Sequence, residues 1–171
     1  MAEDVLWEGK WLRVQRRGSW DYVTRPGLSG VVGIVAVTDD RKIVLVEQFR
    51  PPVNANVIEL PAGLAGDGED AGEDLAVAAK RELLEETGYE AREMRPVARG
   101  VSSAGMSDEV IDLFHATGLR KSGSGGGVAD EKVTLHEVPL GELKAWVDAQ
   151  QRAGKLIDLK VLTAAWVAGV A

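Results

Sequence analysis

Cysteine is absent from this chain of 171 residues. Its absence excludes disulfide bonds, thiolate metal sites and a cysteine nucleophile, and we therefore expect a reducing compartment, by default the cytoplasm. The chain also lacks an apolar run of about 18 residues, the length that crosses a membrane. Its first segment, MAEDVLWEGK, has no apolar core of signal-peptide length. The sequence thus predicts a soluble protein with no membrane association.

Clustered positive charge is lacking as well. The net charge is −7, and no dense group of Lys and Arg is available to bind a phosphate backbone, which argues against nucleic acid as a partner. An anionic small molecule would need a divalent cation, because carboxylates hold hard cations that bridge to phosphate oxygens. With 45% apolar residues, the chain can form one domain and its core, but not two full domains.

Apolar and alternating runs predict a mixed α/β protein. We expect a small N-terminal sheet of two strands, residues 6–14 and 20–25, around a turn at residues 16–19. Pro26-Gly27 then separates an N-terminal region, residues 1–27, from a domain of residues 28–171. Further strands are predicted at residues 30–37, 42–48, 57–60, 94–101, 110–116 and 132–138, of which the first two are expected to form a buried hairpin. Helices are predicted at residues 73–87, 141–153 and 159–170, and a flexible glycine loop at residues 122–127.

Three glutamates share one face of the helix predicted at residues 73–87. At about 100° per residue, Glu82, Glu85 and Glu86 fall within an arc of roughly 100°. Like charges at these spacings repel by a few tenths of a kcal/mol per pair, so a cation is needed among them, either metal ions or Arg81. Taken alone, the cluster also fits a solvated acidic helix face. A Gly- and Asp-rich loop is predicted at residues 63–72, directly before this helix. This glycine loop and the apolar residues beside the acids favour a functional site.

The stretch from Gly63 to Tyr89 resembles the Nudix box, in which Gly, five residues, Glu and seven residues precede Arg-Glu-aliphatic-any-Glu-Glu-any-Gly-aliphatic. The second half is matched from Arg81 onward. In the first half, Glu69 has the expected spacing from Gly63, whereas Glu73 has the expected spacing from Arg81, because four extra residues have entered this segment. Both Glu69 and Glu73 are therefore candidates for the first glutamate of the box.

The resemblance implies an α/β/α Nudix sandwich of mixed sheets flanked by helices, with a small N-terminal antiparallel sheet. It implies that Glu82 and Glu86 are the main metal ligands, that Glu85 and the Ala62 carbonyl contribute, and that Arg81 braces the glutamates. The metal would be Mg²⁺ or Mn²⁺, since pyrophosphate hydrolysis needs a neutralised substrate and an activated water.

Outside the box, residues 46–51, 59–63 and 125–131 resemble the ADP-ribose and nucleotide-sugar pyrophosphatases. This resemblance implies that the chain cleaves a nucleoside diphosphate sugar, with ADP-ribose, cleaved to AMP and ribose 5-phosphate, as the first substrate. GDP-mannose or UDP-glucose is the alternative. Ala104 stands where ADP-ribose hydrolases usually carry proline, which weakens the case for ADP-ribose. In this branch Glu59 would be an acid near the metal or a structural acid. Taken alone, a glutamate on a strand edge is merely solvated.

Four residues are candidates for substrate binding by the same resemblance. Arg50 would clamp a phosphate, although it could be an ordinary surface arginine. Trp20 and Arg25 would hold the base and ribose, although Trp20 could be a core anchor. Gly105 would contribute from the loop of residues 102–109. In relatives the N-terminal sheet is exchanged across a homodimer, so residues 1–27 are expected to be a dimer-exchange element.

The catalytic base is left open. Glu131 matches a family acid, whereas Ala129 replaces another; Glu131 or Asp130 could orient the water, or a metal hydroxide could need no base. His115 and His136 lie in predicted strands, where a structural role is expected. Two rivals of other classes are a silent nucleotide-binding module and a structural acidic helical protein. The retention of three mutually repelling acids favours an enzyme.

Overall fold

The computed structural model describes residues 3–66, 72–127 and 132–169. Its strands are β1 Glu3–Glu8, β2 Arg13–Arg17, β3 Trp20–Thr24, β4 Gly30–Val37, β5 Lys42–Arg50, β6 Ala55–Glu59, β7 Ala62–Ala65, β8 Tyr89–Val101, β9 Val110–Lys121, β10 Thr134–Pro139 and β11 Leu156–Ile157. Its helices are α1 Leu75–Thr87, α2 Leu143–Arg152 and α3 Leu159–Val167, with 3₁₀ turns at Pro51–Val53 and Leu140–Glu142. Across these ranges, no helix combines the length and the hydropathy of a membrane span.

The N-terminal strands β1, β2 and β3 form an antiparallel sheet of their own. The single strand predicted at residues 6–14 is wrong, because a turn in which the Gly9 N–H donates to the Leu12 carbonyl at 2.9 Å divides it. The turn predicted at residues 16–19 is shorter than expected, since Arg16 and Arg17 still pair with β3. Gly18 has a φ of 64°, which the hairpin turn requires and glycine adopts without strain.

The other eight strands form one mixed sheet, which follows the order β11-β6-β5-β4-β9-β8 and in which β10 pairs with β5 and β7 with β4. Strand β4 is central: it runs parallel to β9, and its first half is antiparallel to β7. The predicted hairpin of β4 and β5 is formed only at Ala36–Val44 and Val37–Ile43. Burial on both faces explains why β4 is apolar throughout rather than alternating.

Helices cover both faces of this sheet. On one face, α1 packs through Ala78, Ala79 and Leu83 against apolar side chains of β4, β5 and β9. On the other face, α2 and α3 pack against the alternate residues of these strands and against β6, including Val35, Ile43, Leu45 and Ile58. The predicted α/β/α sandwich with a small antiparallel N-terminal sheet is therefore confirmed.

The ends of the elements follow their caps rather than the apolar pattern. Helix α1 begins at Leu75, two residues later than predicted, because the Asp74 carboxylate accepts the N–H groups of Ala76 and Val77 at 2.9 and 3.2 Å. The first residues of the predicted glycine loop at 63–72 belong to strand β7. The glycine run after β9 was expected to be flexible, but its backbone is hydrogen-bonded to the end of α1.

Both histidines lie in strands, as predicted. His136 on β10 lies 2.9 Å from the Glu47 carboxylate, which also accepts from Lys155 at 2.7 Å and Asn56 at 2.8 Å. Burial raises the pKa of Glu47, but the hydrogen bonds from Lys155, His136 and Asn56 outweigh burial and lower that pKa below its ordinary value. For His115, burial and the nearby charge of Arg95 lower the pKa. The Glu47 group joins β5 to β6, β10 and the start of β11.

Candidate active site

Helix α1 presents its glutamates to strand β7 rather than to open water. Its apolar residues Ala78, Ala79 and Leu83 are fully buried against the sheet, which fixes the rotation of the helix about its axis. Glu82 and Glu86, one turn apart, consequently lie at the edge of this contact, with 12% of the Glu82 side chain and 7% of residue Glu86 exposed. Partly buried carboxylates of this kind need charged or hydrogen-bonding partners.

Strand β7 provides the surface against which these two carboxylates rest. The Ala62 N–H donates to Oε2 of Glu86 at 3.1 Å. At the next residue, a Cβ added to Gly63 would lie 2.0 Å from Cδ of Glu82, which is far inside van der Waals contact. A side chain at position 63 would therefore displace the Glu82 carboxylate from its present position. Consecutive residues of one strand thus contact Glu86 and leave space for Glu82.

Arg81 is the cation among the acids. Its guanidinium donates to Glu73 at 3.1 Å from two nitrogens, to Glu82 at 2.8 Å and to Glu85 at 3.2 Å. A further hydrogen bond of 3.0 Å reaches the Leu64 carbonyl on β7. Led by the hydrogen bond with Glu73, these acids raise the pKa of Arg81 above its ordinary value, despite the opposing effect of burial. One guanidinium thus offsets the repulsion within the cluster.

Glu73, one of the two candidates for the first glutamate of the box, contacts Arg81 through both of its carboxylate oxygens. Its carboxylate also accepts the Gly66 N–H at 3.2 Å, so it joins the end of β7 to α1. The hydrogen bond from Arg81 holds the pKa of Glu73 below its ordinary value. Glu69 lies outside the described residues.

The donor set fits a hard divalent cation, because Glu82, Glu85 and Glu86 offer oxygen ligands on one helix face against a glycine. In the described ranges, however, no three acidic or histidine side chains converge on one position where they could hold a metal ion. The carboxylates of Glu82 and Glu86 are turned instead toward Arg81 and the Ala62 N–H. Binding of a cation would therefore require these side chains to exchange partners.

Arg50 and Glu59 form a bidentate ion pair where β5 and β6 run side by side. Nε and Nη2 of Arg50 each lie 2.6 Å from an oxygen of Glu59. The Glu59 side chain is 8% exposed and that of Arg50 is 45% exposed. Glu59 is therefore not the solvated acid considered in the sequence analysis; it holds the guanidinium of Arg50 in a fixed plane.

A cavity of about 590 Å³ lies between β3, the start of β4 and the loop of residues 102–109. Arg25 lines this cavity and pairs with Glu109 at 3.2 Å. Trp20 lies nearby and is 60% exposed, which excludes the core-anchor alternative within this chain, and its Nε1 donates to the Gly105 carbonyl at 3.3 Å. Trp20 and Arg25 thus both contact the loop of residues 102–109, which contains Gly105.

Ser29 was missed by the sequence analysis, although it connects the cavity to the glutamates. It lines the cavity, its N–H donates to the Ala65 carbonyl at 2.8 Å, and its hydroxyl accepts the Gly72 N–H at 3.1 Å. It therefore holds both described ends of the expanded loop, next to Gly66 and Glu73. No local pattern distinguishes this serine from other loop serines, since its partners are remote in sequence.

The candidate bases Asp130 and Glu131, and Ala129, which replaces a family acid, lie outside the described residues. The chain on either side of them is anchored: Gly127 N–H donates to the Glu85 carbonyl at 3.1 Å, and Val133 N–H donates to the Gly126 carbonyl at 3.2 Å.

Known proteins similar to this chain point to one family. The family described as NUDIX domain matches residues 28–158. A "Methanol dehydrogenase activator" of Bacillus methanolicus is 41% identical over 119 residues, covering 69% of this chain and 62% of the relative. An "ADP-ribose pyrophosphatase" of Bacillus subtilis (strain 168) is 38% identical over 108 residues, covering 63% and 52%. A "GDP-mannose pyrophosphatase" of Klebsiella pneumoniae is 36% identical over 126 residues, covering 68% and 61%.

The chain thus matches about half to three fifths of the length of these curated relatives. Among solved structures, one described as "Crystal structure of ADP compounds hydrolase" superposes with a TM-score of 0.72 at 17% identity, covering 99% of this chain and 93% of that one. This similarity establishes the fold.

We expect Glu73→Gln to lower the free energy of unfolding by about 1–2 kcal/mol at pH 7, because it removes the charge that Arg81 contacts. The pKa of Glu73 is lowered in the folded state, so its contribution is present above the pKa of an unfolded glutamate and is lost as the pH falls through the folded value. Urea unfolding of both proteins should therefore show a difference that narrows below about pH 4.

Glu90→Gln is the matched control, since Glu90 pairs with Arg120 on the exposed surface of β8 and β9. Its effect should stay below about 0.5 kcal/mol. Glu69→Gln, measured in parallel, tests the other candidate: we propose that Glu73 fills the first-glutamate role, and a loss of stability in Glu69→Gln as large as that in Glu73→Gln would contradict this proposal.

Proposed function

The chain belongs to the NUDIX family, and from this membership we propose that it is a metal-dependent hydrolase that cleaves the pyrophosphate of a nucleoside diphosphate sugar. The observation that carries the proposal is the cluster of Glu82, Glu85 and Glu86 around Arg81, held against strand β7. A binding protein has no need to keep three repelling carboxylates together at a cost in stability. Hydrolysis of a diphosphate does need these carboxylates together, because they can hold the metal ions that neutralise the substrate.

The metal is proposed to be Mg²⁺ or Mn²⁺, held by Glu82 and Glu86 with contributions from Glu85 and the Ala62 carbonyl. When bound, it supplies positive charge for the diphosphate and lowers the pKa of a water molecule. Within the chain, Arg81 exchanges part of its contact with Glu82 and Glu85, while Glu73 retains the guanidinium through contacts of 3.1 Å with two of its nitrogens. Arg81 would thus stay beside the metal site both with and without a bound cation.

Arg50 is proposed to clamp a phosphate of the substrate. Glu59 fixes one side of its guanidinium through two hydrogen bonds of 2.6 Å, while nearly half of the Arg50 side chain remains exposed. A planar guanidinium held in this way has little rotational freedom to lose when it binds a phosphate oxygen. The buried carboxylate of Glu59 therefore supports the clamp.

The nucleoside and sugar are proposed to occupy the region of Trp20, Arg25 and Gly105. An exposed indole fixed by one hydrogen bond is suited to stacking on a base. The neighbouring cavity offers side chains that bind hydroxyl groups, among them Ser102, Ser103, Ser107, Asp108 and Asp112. The two arginines that line the cavity, Arg25 and Arg99, are paired with Glu109 and Asp112. A polyol therefore fits this cavity better than a phosphate.

ADP-ribose is the first proposed substrate, giving AMP and ribose 5-phosphate, and GDP-mannose or another nucleotide sugar is the alternative. The names of the relatives support both, since they include an ADP-ribose pyrophosphatase and a GDP-mannose pyrophosphatase.

Glu131 or Asp130 is proposed to orient the water, unless a metal hydroxide needs no base. A cytoplasmic location and the lack of a nucleic-acid partner remain predictions from the sequence.

A homodimer is proposed, with residues 1–27 as the exchanged element and residues 28–171 as the catalytic domain. The N-terminal sheet and its turn carry large apolar side chains that are exposed in the single chain: Val5, Leu6, Trp7 and Trp11 are 45–65% exposed. A monomer rarely leaves such side chains contiguous in water.

A screen of ADP-ribose, GDP-mannose, UDP-glucose and nucleoside triphosphates with Mg²⁺ tests the proposed reaction. We expect a nucleoside monophosphate and a sugar phosphate from at least one nucleotide sugar, separated by ion-exchange chromatography, and no product when EDTA replaces the metal. Preference for a triphosphate would contradict the assignment to the nucleotide-sugar branch. Absence of metal-dependent turnover on every diphosphate, together with tight binding of one, would support the nucleotide-binding module instead.

Glu86→Gln should lower kcat on the best nucleotide sugar by on the order of 100-fold or more, because an amide is a poorer ligand for a hard cation than a carboxylate. Glu90→Gln, at an exposed site four residues away, should retain the parent rate. Initial rates at saturating Mg²⁺ measure both. Parent activity in Glu86→Gln would show that the metal site lies elsewhere.

The double variant Trp7→Ser, Trp11→Ser should shift the protein from dimer to monomer, because it removes two exposed rings from the proposed interface. Trp166→Ser is the matched control, since Trp166 on α3 is equally exposed but lies outside the N-terminal sheet. Light scattering coupled to size-exclusion chromatography measures the mass of each. A monomeric parent, or a dimer that survives the double variant and is lost in the control, would contradict the proposal.

A further inference from the structure

The segment Ser122–Gly127, here called the glycine cap, supplies hydrogen bonds to the C-terminal end of α1. The last carbonyls of a helix have no partner within the helix and must find donors elsewhere. Gly127 N–H donates to the Glu85 carbonyl at 3.1 Å, and Gly126 N–H donates to the Glu86 carbonyl at 2.9 Å. The N–H groups of Ser122 and Gly123 both donate to the Gly88 carbonyl, at 2.9 and 3.0 Å.

The remaining carbonyls of this helix end are also taken. Gly88, in the left-handed conformation with a φ of 71°, donates its N–H to the Leu84 carbonyl. Lys121, immediately before the glycine cap, donates from Nζ to the Thr87 carbonyl at 2.7 Å, while its ammonium lies 4.5 Å from the centroid of the Tyr89 ring. Leu84 thus accepts the last hydrogen bond of the helical pattern, whereas every carbonyl from Glu85 to Gly88 has a donor from outside the helix. Most of these outside donors come from one segment.

Backbone approaches backbone so closely here that side chains are excluded. A Cβ on Gly125 would lie 2.5 Å from the carbonyl carbon of Thr87 and 2.7 Å from the Glu86 carbonyl oxygen. A Cβ on Gly88 would lie 2.2 Å from the Gly123 carbonyl oxygen. Because both neighbours are backbone, neither clash can be relieved by rotating a side chain. The glycines are thus required by this contact and not by flexibility.

Two of the carbonyls held in this way belong to residues that carry the proposed metal ligands. We propose that the glycine cap is a positioning element of the metal site, which sets its cation affinity by fixing the backbone of Glu85 and Glu86; this inference rests on the proposed function. Helix ends fray when their carbonyls lack donors. Octahedral Mg²⁺ coordination at 2.0–2.1 Å tolerates little displacement of its ligands, so a frayed last turn would weaken it.

The glycine cap acts only on the glutamates near the C-terminal end of α1. Glu82 lies a full turn earlier in α1, where hydrogen bonds within the helix and the contact with Gly63 hold it. Glu85 and Glu86 are within the last turn, where the glycine cap replaces helical hydrogen bonds. Loss of the cap should therefore reduce metal affinity without removing any carboxylate and without altering the residues that contact the substrate.

The test compares Gly125→Ala with Gly123→Ala. Gly123 is in the same segment, but a Cβ there would meet only the Gly88 Cα at an ordinary 3.7 Å, and its φ is not positive. Titration calorimetry with Mn²⁺ alone, without substrate, gives the Kd of each folded variant, and circular dichroism with thermal unfolding gives its Tm. We expect Gly125→Ala to raise the Kd for Mn²⁺ at least tenfold and Gly123→Ala to leave it within twofold of the parent.

A second variant covers the case in which Gly125→Ala does not fold. Lys121→Met keeps the apolar stem of the side chain but removes the donor to the buried Thr87 carbonyl, and it should raise the Kd for Mn²⁺ about threefold. A purely structural cap would lower the Tm of these variants and leave the Kd of the folded protein unchanged; that result would overturn the inference. A parent that binds no Mn²⁺ would instead overturn the proposed function, and the inference with it.

Discussion

Electrostatic repulsion among acids on a short helix is the constraint to which much of this structure responds. Glu73, Glu82 and Glu85 all contact the guanidinium of Arg81, and none of them is fully solvated. A lysine could not replace this arginine, because a single ammonium lacks the planar set of donors that reaches several carboxylates and the Leu64 carbonyl together. The proposed catalytic face of α1 is compatible with a stable fold because of this one side chain.

Contacts at both ends of α1 keep the helix in the position in which Arg81 reaches these acids. At its N-terminal end, Asp74 caps the helix and Glu73 joins it to Gly66. At its C-terminal end, the glycine cap occupies the carbonyls of Glu85 and Glu86. Before the helix, Ser29 contacts Ala65 and Gly72, and Glu73 contacts Gly66, so these two residues hold the described ends of the preceding loop.

The region proposed for the nucleoside and sugar depends on a different set of contacts. Strand β3 docks on the loop of residues 102–109, where Val23 N–H donates to the Met106 carbonyl at 2.8 Å and Trp20 donates to that of Gly105. Substrate specificity is therefore proposed to arise from the fit between the N-terminal sheet and this loop, which contains Ala104. Ser29 lines the cavity beside it and bonds to the segment that leads into α1, so the two regions share a boundary.

Local sequence by itself determined α1, its acidic face, the glycine after it and most of the strands, because helical periodicity, end caps and apolar runs act within a few residues. It could not choose between Glu69 and Glu73, because the choice depends on which carboxylate reaches Arg81 and Gly66 in three dimensions. It also could not reveal that Glu59 holds Arg50, that Trp20 is exposed, or that Gly9 divides the first strand. The glycine run was expected to be flexible because glycine lacks a side chain. In the tertiary structure, the same lack of a side chain lets the backbone of this run contact the backbone at the end of α1. Whether a glycine run is flexible or closely packed depends on what the folded chain places beside it.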